Sequence, residues 1–179
     1  TNERYDWIFS DPDRRSAEGK KMVRMEDCSP DMVALWPALK RITERVAIKN
    51  SPLFDVEEAF RLFGRCGVEV ISLGGECKEV NIYADGREPM LAAEAVGRAR
   101  VEYLRREIDY TPCEGEFAAE EYGWLIVPDV ALQKARLAVH ALREKADIWS
   151  NNSFAVARVE PKEVLGRVEQ IERREVFDI

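Results

Sequence analysis

Chemistry in this chain would have to come from four cysteines, one histidine and a surplus of carboxylates. Cys28, Cys66, Cys77 and Cys113 are far apart, with no Cys-x-x-Cys pair, and His140 is the only histidine. A zinc site normally needs four such ligands in close spacing, so no metal site is expected and the cysteines read as free thiols. Cys66, between Arg65 and Gly67 at the end of a helical stretch, reads as a buried thiol rather than a reactive one. His140, flanked by Val139 and Ala141, reads as an edge residue of a helix rather than as a base. Glu76-Cys77-Lys78 at a hairpin, with Pro128-Asp129 beside a strand, offers carboxylates of the kind that hold Mg²⁺ in nucleases. Their order is the reverse of the usual one, so a metal-dependent nuclease is only the remote alternative.

Binding is written more clearly than catalysis. Asp109–Glu121 carries Asp109, Glu114, Glu116, Glu120 and Glu121 and no basic residue, which reads as an acidic surface loop. Trp7 stands in a polar N-terminal stretch, where an exposed tryptophan would serve as an interface anchor. The net charge of -7 opposes phosphate binding, so no direct nucleic-acid contact is expected. An acidic surface instead suits a protein partner with a basic face. No apolar run approaches the roughly 18–20 residues of a membrane span, and the N-terminal stretch lacks a signal-peptide core. A cytoplasmic protein without membrane contact is the expectation.

Those residues must be positioned by one domain, since 179 residues are too few for two ordinary ones. Residues 1–21 read as an irregular arm and 22–179 as a single mixed α/β domain. Met22–Met25 suggests a short strand. Ser29-Pro30-Asp31 then opens a helix whose apolar stripe runs from Met32 through Val46, with Pro37 inside it. Asp55 caps a short helix closed by Gly64. Val68–Leu73 and Glu79–Ala84, separated by Gly74-Gly75, predict a β-hairpin. From Glu88 to Asp109, Met90, Ala93, Gly97, Val101, Leu104 and Ile108 recur at helical spacing. Glu94, Arg98, Glu102 and Arg106 line the other face, so the spacing predicts one long helix packed across the sheet. Trp124–Val127 reads as a buried strand, followed by a helix from Pro128-Asp129 to Trp149, a strand at Phe154–Val159 and a last helix from Pro161. Trp36, Trp124 and Trp149 fall on apolar stripes and are assigned to the core. The fold class is thus mixed α/β, with a central, mostly antiparallel sheet of about four to five strands flanked by helices.

That order of elements, with Met22–Asp27 before a helix and Asn81–Arg87 leading into another, resembles the GNAT family of acyl-CoA-dependent N-acetyltransferases. The resemblance implies acetyl-CoA as cofactor, with Gly86 and Arg87 at its pyrophosphate. Glu88-Pro89 departs from the family's glycine-rich loop, because proline has no N–H to offer phosphate and Glu88 repels it. Arg143 stands where many members carry a tyrosine acid, and a guanidinium is a poor proton donor. The sequence therefore reads first as a non-catalytic interaction protein, an inhibitor or assembly subunit on a GNAT-like scaffold. It would use Trp7, Glu114, Glu116, Glu120 and Glu121, with no catalytic residue and no cofactor. An acyltransferase with an atypical cofactor loop is the alternative.

Overall fold

A computed structural model describes residues 3–13 and 24–172. Strand β1 (Ile8–Ser10) lies in the N-terminal stretch that the sequence suggested was irregular, and it pairs in parallel with β2 (Val46–Asn50), Ile8 opposite Val46. Between them runs α1 (Met32–Ile42), capped by Asp31, whose carboxylate accepts from the Val33 and Ala34 N–H groups. Pro37 is accommodated inside the helix. Helix α2 (Val56–Phe63) is capped by Asp55 and ended by Gly64, as expected. Strands β3 (Gly67–Leu73) and β4 (Glu76–Ala84) form the expected hairpin, Val68 opposite Ile82.

The expected long helix is instead a second hairpin, β5 (Met90–Ala95) and β6 (Ala99–Leu104), turning at Gly97 with φ +76°. Strand β5 pairs in parallel with β3, Val68 opposite Leu91. A free edge of β3 offers hydrogen bonds that no helix could use, and Gly97 allows the left-handed turn that an internal helix position does not need. Leu91, Ala93 and Ala95 alternate inward and are buried, whereas Leu104, expected in the core, is only partly buried. Val46 likewise belongs to β2 rather than to the first helix.

The result is a mixed α/β fold with a six-stranded central sheet of order β1-β2-β4-β3-β5-β6 among the described residues. One sheet face presents Ile8, Val46, Ile48, Ile82, Val68 and Leu91 to the helices, forming the core. The other presents Phe9, Lys49, Asn81, Tyr83 and Glu69. Met25, expected in a first strand, sits in a 3-10 turn, while Met22 and Val23 fall outside the described residues.

The remaining chain builds a smaller sheet. Strand β7 (Trp124–Pro128) is central, with β8 (Ala155–Ala157) and β9 (Gly166–Gln170) antiparallel on its two sides. The single helix expected after Asp129 is broken into α3 (Val130–Lys134) and α4 (Ala138–Leu142) at Arg136, whose φ of 57° no helix accepts. Strand β9 replaces the expected last helix. Its Gly166 abuts β7 so closely that an added Cβ would meet the Val127 carbonyl oxygen at 2.5 Å. Ser72 of β3 donates to the Asp129 carboxylate at 2.5 Å and ties the smaller sheet to the larger.

Candidate functional site

Parallel strands are rarely left bare, and in open α/β sheets ligands gather at their carboxyl ends. Here those ends are Ser10-Asp11-Pro12 after β1 and Asn50-Ser51-Pro52 after β2. Lys49 donates to the Asp11 carboxylate at 2.7 Å, bridging the two strand ends, and both side chains remain solvent-accessible. Pro12 is buried and pins the turn, and Asp13 and Ser29 exchange backbone hydrogen bonds at 2.7 and 2.9 Å, closing the loop beneath it. Asn50 is 6% exposed and donates its amide to the Ile48 carbonyl at 3.3 Å, while no described residue donates to its side-chain oxygen. On the open face, beside Lys49, Phe9 is 68% exposed and the Asn81 amide donates to Glu79 at 3.0 Å. Farther along that face Tyr83 donates to Glu69 at 2.9 Å, and Arg100 reaches the other Glu69 oxygen at 2.9 Å. Burial, reinforced by the Glu69 carboxylate, pushes the Tyr83 hydroxyl up to about 12. The open face offers an anchored carboxylate, an ammonium and an aromatic surface, whereas Asn50 shares the core face of β2 with Val46 and Ile48.

The sequence pattern did not single out Asp11, Lys49 or Asn50. The available signal was a repeated grammar: Ile8-Phe9-Ser10-Asp11-Pro12 and Ile48-Lys49-Asn50-Ser51-Pro52 each run from apolar residues to a polar-proline stop. The residues it did single out have separate surroundings. Trp7 is 43% exposed and lies under the Arg45 guanidinium, 5.9 Å from the ring centre. Glu114 and Glu116 are exposed on the loop before β7. Glu121 is paired with Arg158 at 2.7 Å, so the acidic stretch meets a basic residue from beyond β8 that the local sequence did not show. Arg158 also donates to Asp147 at 2.8 Å, and the Tyr122 hydroxyl shares that carboxylate at 2.8 Å. Trp7 immediately precedes β1 of the larger sheet, whereas Glu120 and Glu121 lie in a 3-10 turn leading to β7 of the smaller one. Trp36 and Trp124, assigned to the core, are half-buried against it, whereas Trp149, also half-buried, packs on Phe117 and Tyr122 instead.

Among the described residues no group of three or more His, Cys, Asp or Glu side chains gathers as a metal site. Glu76 and Lys78 pair with each other at 2.6 Å on an exposed hairpin end. Asp129 is committed to Ser72 and to the Ala131 N–H. Cys66 is buried, and desolvation pushes its thiol up to about 12. His140 accepts the Asp109 N–H at 3.0 Å through Nδ1 and meets the Tyr103 ring edge-on, a structural placement. Gly86 and Arg87 make no phosphate cradle: Asp85 holds the Arg87 guanidinium at 2.5 Å, and the next element is β5, which has no helix terminus to offer.

No family model matches the chain, and no curated protein matches it. The fold does match a crystal structure described as a putative methyltransferase from Porphyromonas gingivalis W83, with TM-score 0.73 and 19% identity. The match covers 94% of this chain but 43% of that one, so this chain spans less than half the length of the solved protein. This likeness corrects the GNAT-like scaffold, whose order of elements required the long helix that is absent. It also corrects the reading as a non-catalytic interaction protein, with an acyltransferase or a nuclease behind it, because the matching protein is described as an enzyme of another class. No helix of the described residues is long and apolar enough to cross a membrane.

Proposed function

We propose that this chain belongs to a methyl-transferring enzyme and supplies the acceptor side of its site, at the carboxyl ends of β1 and β2. The observation that carries the reading is the Asp11–Lys49 bridge across two parallel strand ends, in a sheet whose solved match is described as a methyltransferase. Methyl transfer is an in-line displacement in which the acceptor nitrogen or oxygen sheds a proton. Asp11, held in place by Lys49, can take that proton or accept its hydrogen bond. Phe9, on the same open face as Lys49, offers a surface on which a planar acceptor can stack. A nucleotide-like methyl donor would need a glycine turn between a strand and a helix. The described strand-to-helix turns, 51–55 and Asp129, contain no glycine, so these residues do not fit a donor cradle and no step is assigned to one.

The test is transfer of a labelled methyl group by the full-length protein to RNA, peptide and small-amine acceptors. Asp11→Asn should lower incorporation by about a hundredfold or more, the usual scale for a positioned acid–base group, with unchanged circular dichroism. Absence of label in every acceptor, or an Asp11→Asn rate equal to the parent's, refutes the reading.

A further inference from the structure

At the opposite end of the sheet, the end of α1, the end of α2 and the turn after β4 enclose a cavity of about 420 Å³. Strand β2 separates it from Asp11 and Lys49 by about 13 Å, at roughly 3.3 Å per residue. It is therefore distinct from the acceptor site. Trp36 and Phe63 form an aromatic wall, with ring centroids 4.9 Å apart and planes at 78°. Lys40 lies over the Trp36 ring at 5.5 Å, and no described carboxylate pairs with it. Arg65 spends its Nε on the Gly86 carbonyl at 2.9 Å, which fixes the guanidinium while leaving its terminal nitrogens without a described acceptor. Of the two carboxylates in the lining, Asp85 is held by Arg87, and Glu44 has no described partner.

From this juxtaposition we propose that the cavity binds a nucleoside monophosphate. Each group answers one part of such a ligand once Lys40 swings off the Trp36 ring that it covers. The base stacks on the Trp36–Phe63 wall, as bases do on aromatic side chains. Lys40 and Arg65 take the phosphate, the arginine by its planar fork. Glu44 accepts from ribose hydroxyls, the role an acidic residue plays in dinucleotide sites. A volume of this size suits a small ligand. Two cations in a chain of net charge -7 favour a single nucleotide over a polymer, which needs a longer basic track.

The experiment is a titration of the full chain with AMP, followed by tryptophan fluorescence and by calorimetry, beside adenosine, inorganic phosphate and a single-stranded trinucleotide. AMP should bind saturably and quench the emission. Trp36→Phe should remove most of the quench while calorimetric binding persists, because the aromatic wall is kept. Adenosine and phosphate should each bind about tenfold more weakly than AMP, since each lacks half of the contacts. Lys40→Glu with Arg65→Glu should weaken AMP by about tenfold or more, with unchanged thermal unfolding, because both side chains are exposed. Binding of the trinucleotide without AMP overturns the proposal, because it requires a site longer than one nucleotide. No saturable binding of AMP up to about 1 mM, or affinity that survives the double reversal, overturns the proposal. Neither outcome bears on methyl transfer, which the Asp11 substitution tests separately.

Discussion

The junction between the two sheets is the sharpest place to perturb the fold. Asp129 is 8% exposed, accepts from the Ser72 hydroxyl at 2.5 Å and caps α3 through the Ala131 N–H at 2.9 Å. Replacing it with alanine removes a helix cap, worth about 1 kcal/mol. It also strands a hydroxyl that is 1% exposed and keeps only the Glu94 carbonyl at 3.4 Å, a loss of about 1–3 kcal/mol. The sum is about 2–4 kcal/mol, or a melting point lower by roughly 4–16 °C in a chain of this length. Asp129→Asn should recover much of that loss, since an amide oxygen can still accept both bonds. Urea unfolding of the parent, Asp129→Ala, Ser72→Ala and the double variant forms a cycle whose coupling should be about 1 kcal/mol or more. A cost below about 0.5 kcal/mol for Asp129→Ala, or a coupling near zero, would show that this bond does not join the sheets.

Gly166→Ala should destabilise by about 1–3 kcal/mol in the same assay, because its new Cβ would meet backbone atoms of Val127 and Pro128 that no side-chain rotation can clear. An unchanged denaturation midpoint would remove β9 from its tight register on β7. The absorbance difference between parent and Tyr83→Phe should titrate near 12, and Glu69→Gln should bring that step down toward the ordinary tyrosine range. The folded-state value is raised, so Tyr83 contributes stability that is complete below the unfolded value of about 10 and is lost as pH rises through about 12. A Tyr83 step near 10 in the folded parent contradicts this account.

Elements whose signals are local were legible in the letters. Gly74-Gly75 between two β-branched runs fixed the hairpin of β3 and β4, and an Asp55 cap with a Gly64 stop fixed α2. The apolar run Trp124–Val127 announced β7, and the burial of Cys66 agrees with its reading as a thiol at a helix end. The mixed α/β class was therefore determined by the sequence itself. Residues 90–104 were not decided that way. Their apolar positions fit a helical period, yet Leu91, Ala93 and Ala95, then Val101 and Tyr103, also alternate as strands. Only the parallel edge of β3, brought alongside in three dimensions, selected the second pattern. Strand β2 was hidden in the same way until β1 and β4 supplied its neighbours, and β9 until β7 did. The candidate site is of that non-local kind. Asp11 and Lys49 are 38 positions apart and meet because parallel strands end side by side, a placement that no local spacing encodes. Backbone hydrogen bonds across a sheet are made between segments remote in the chain, so their partners are set by the assembled fold.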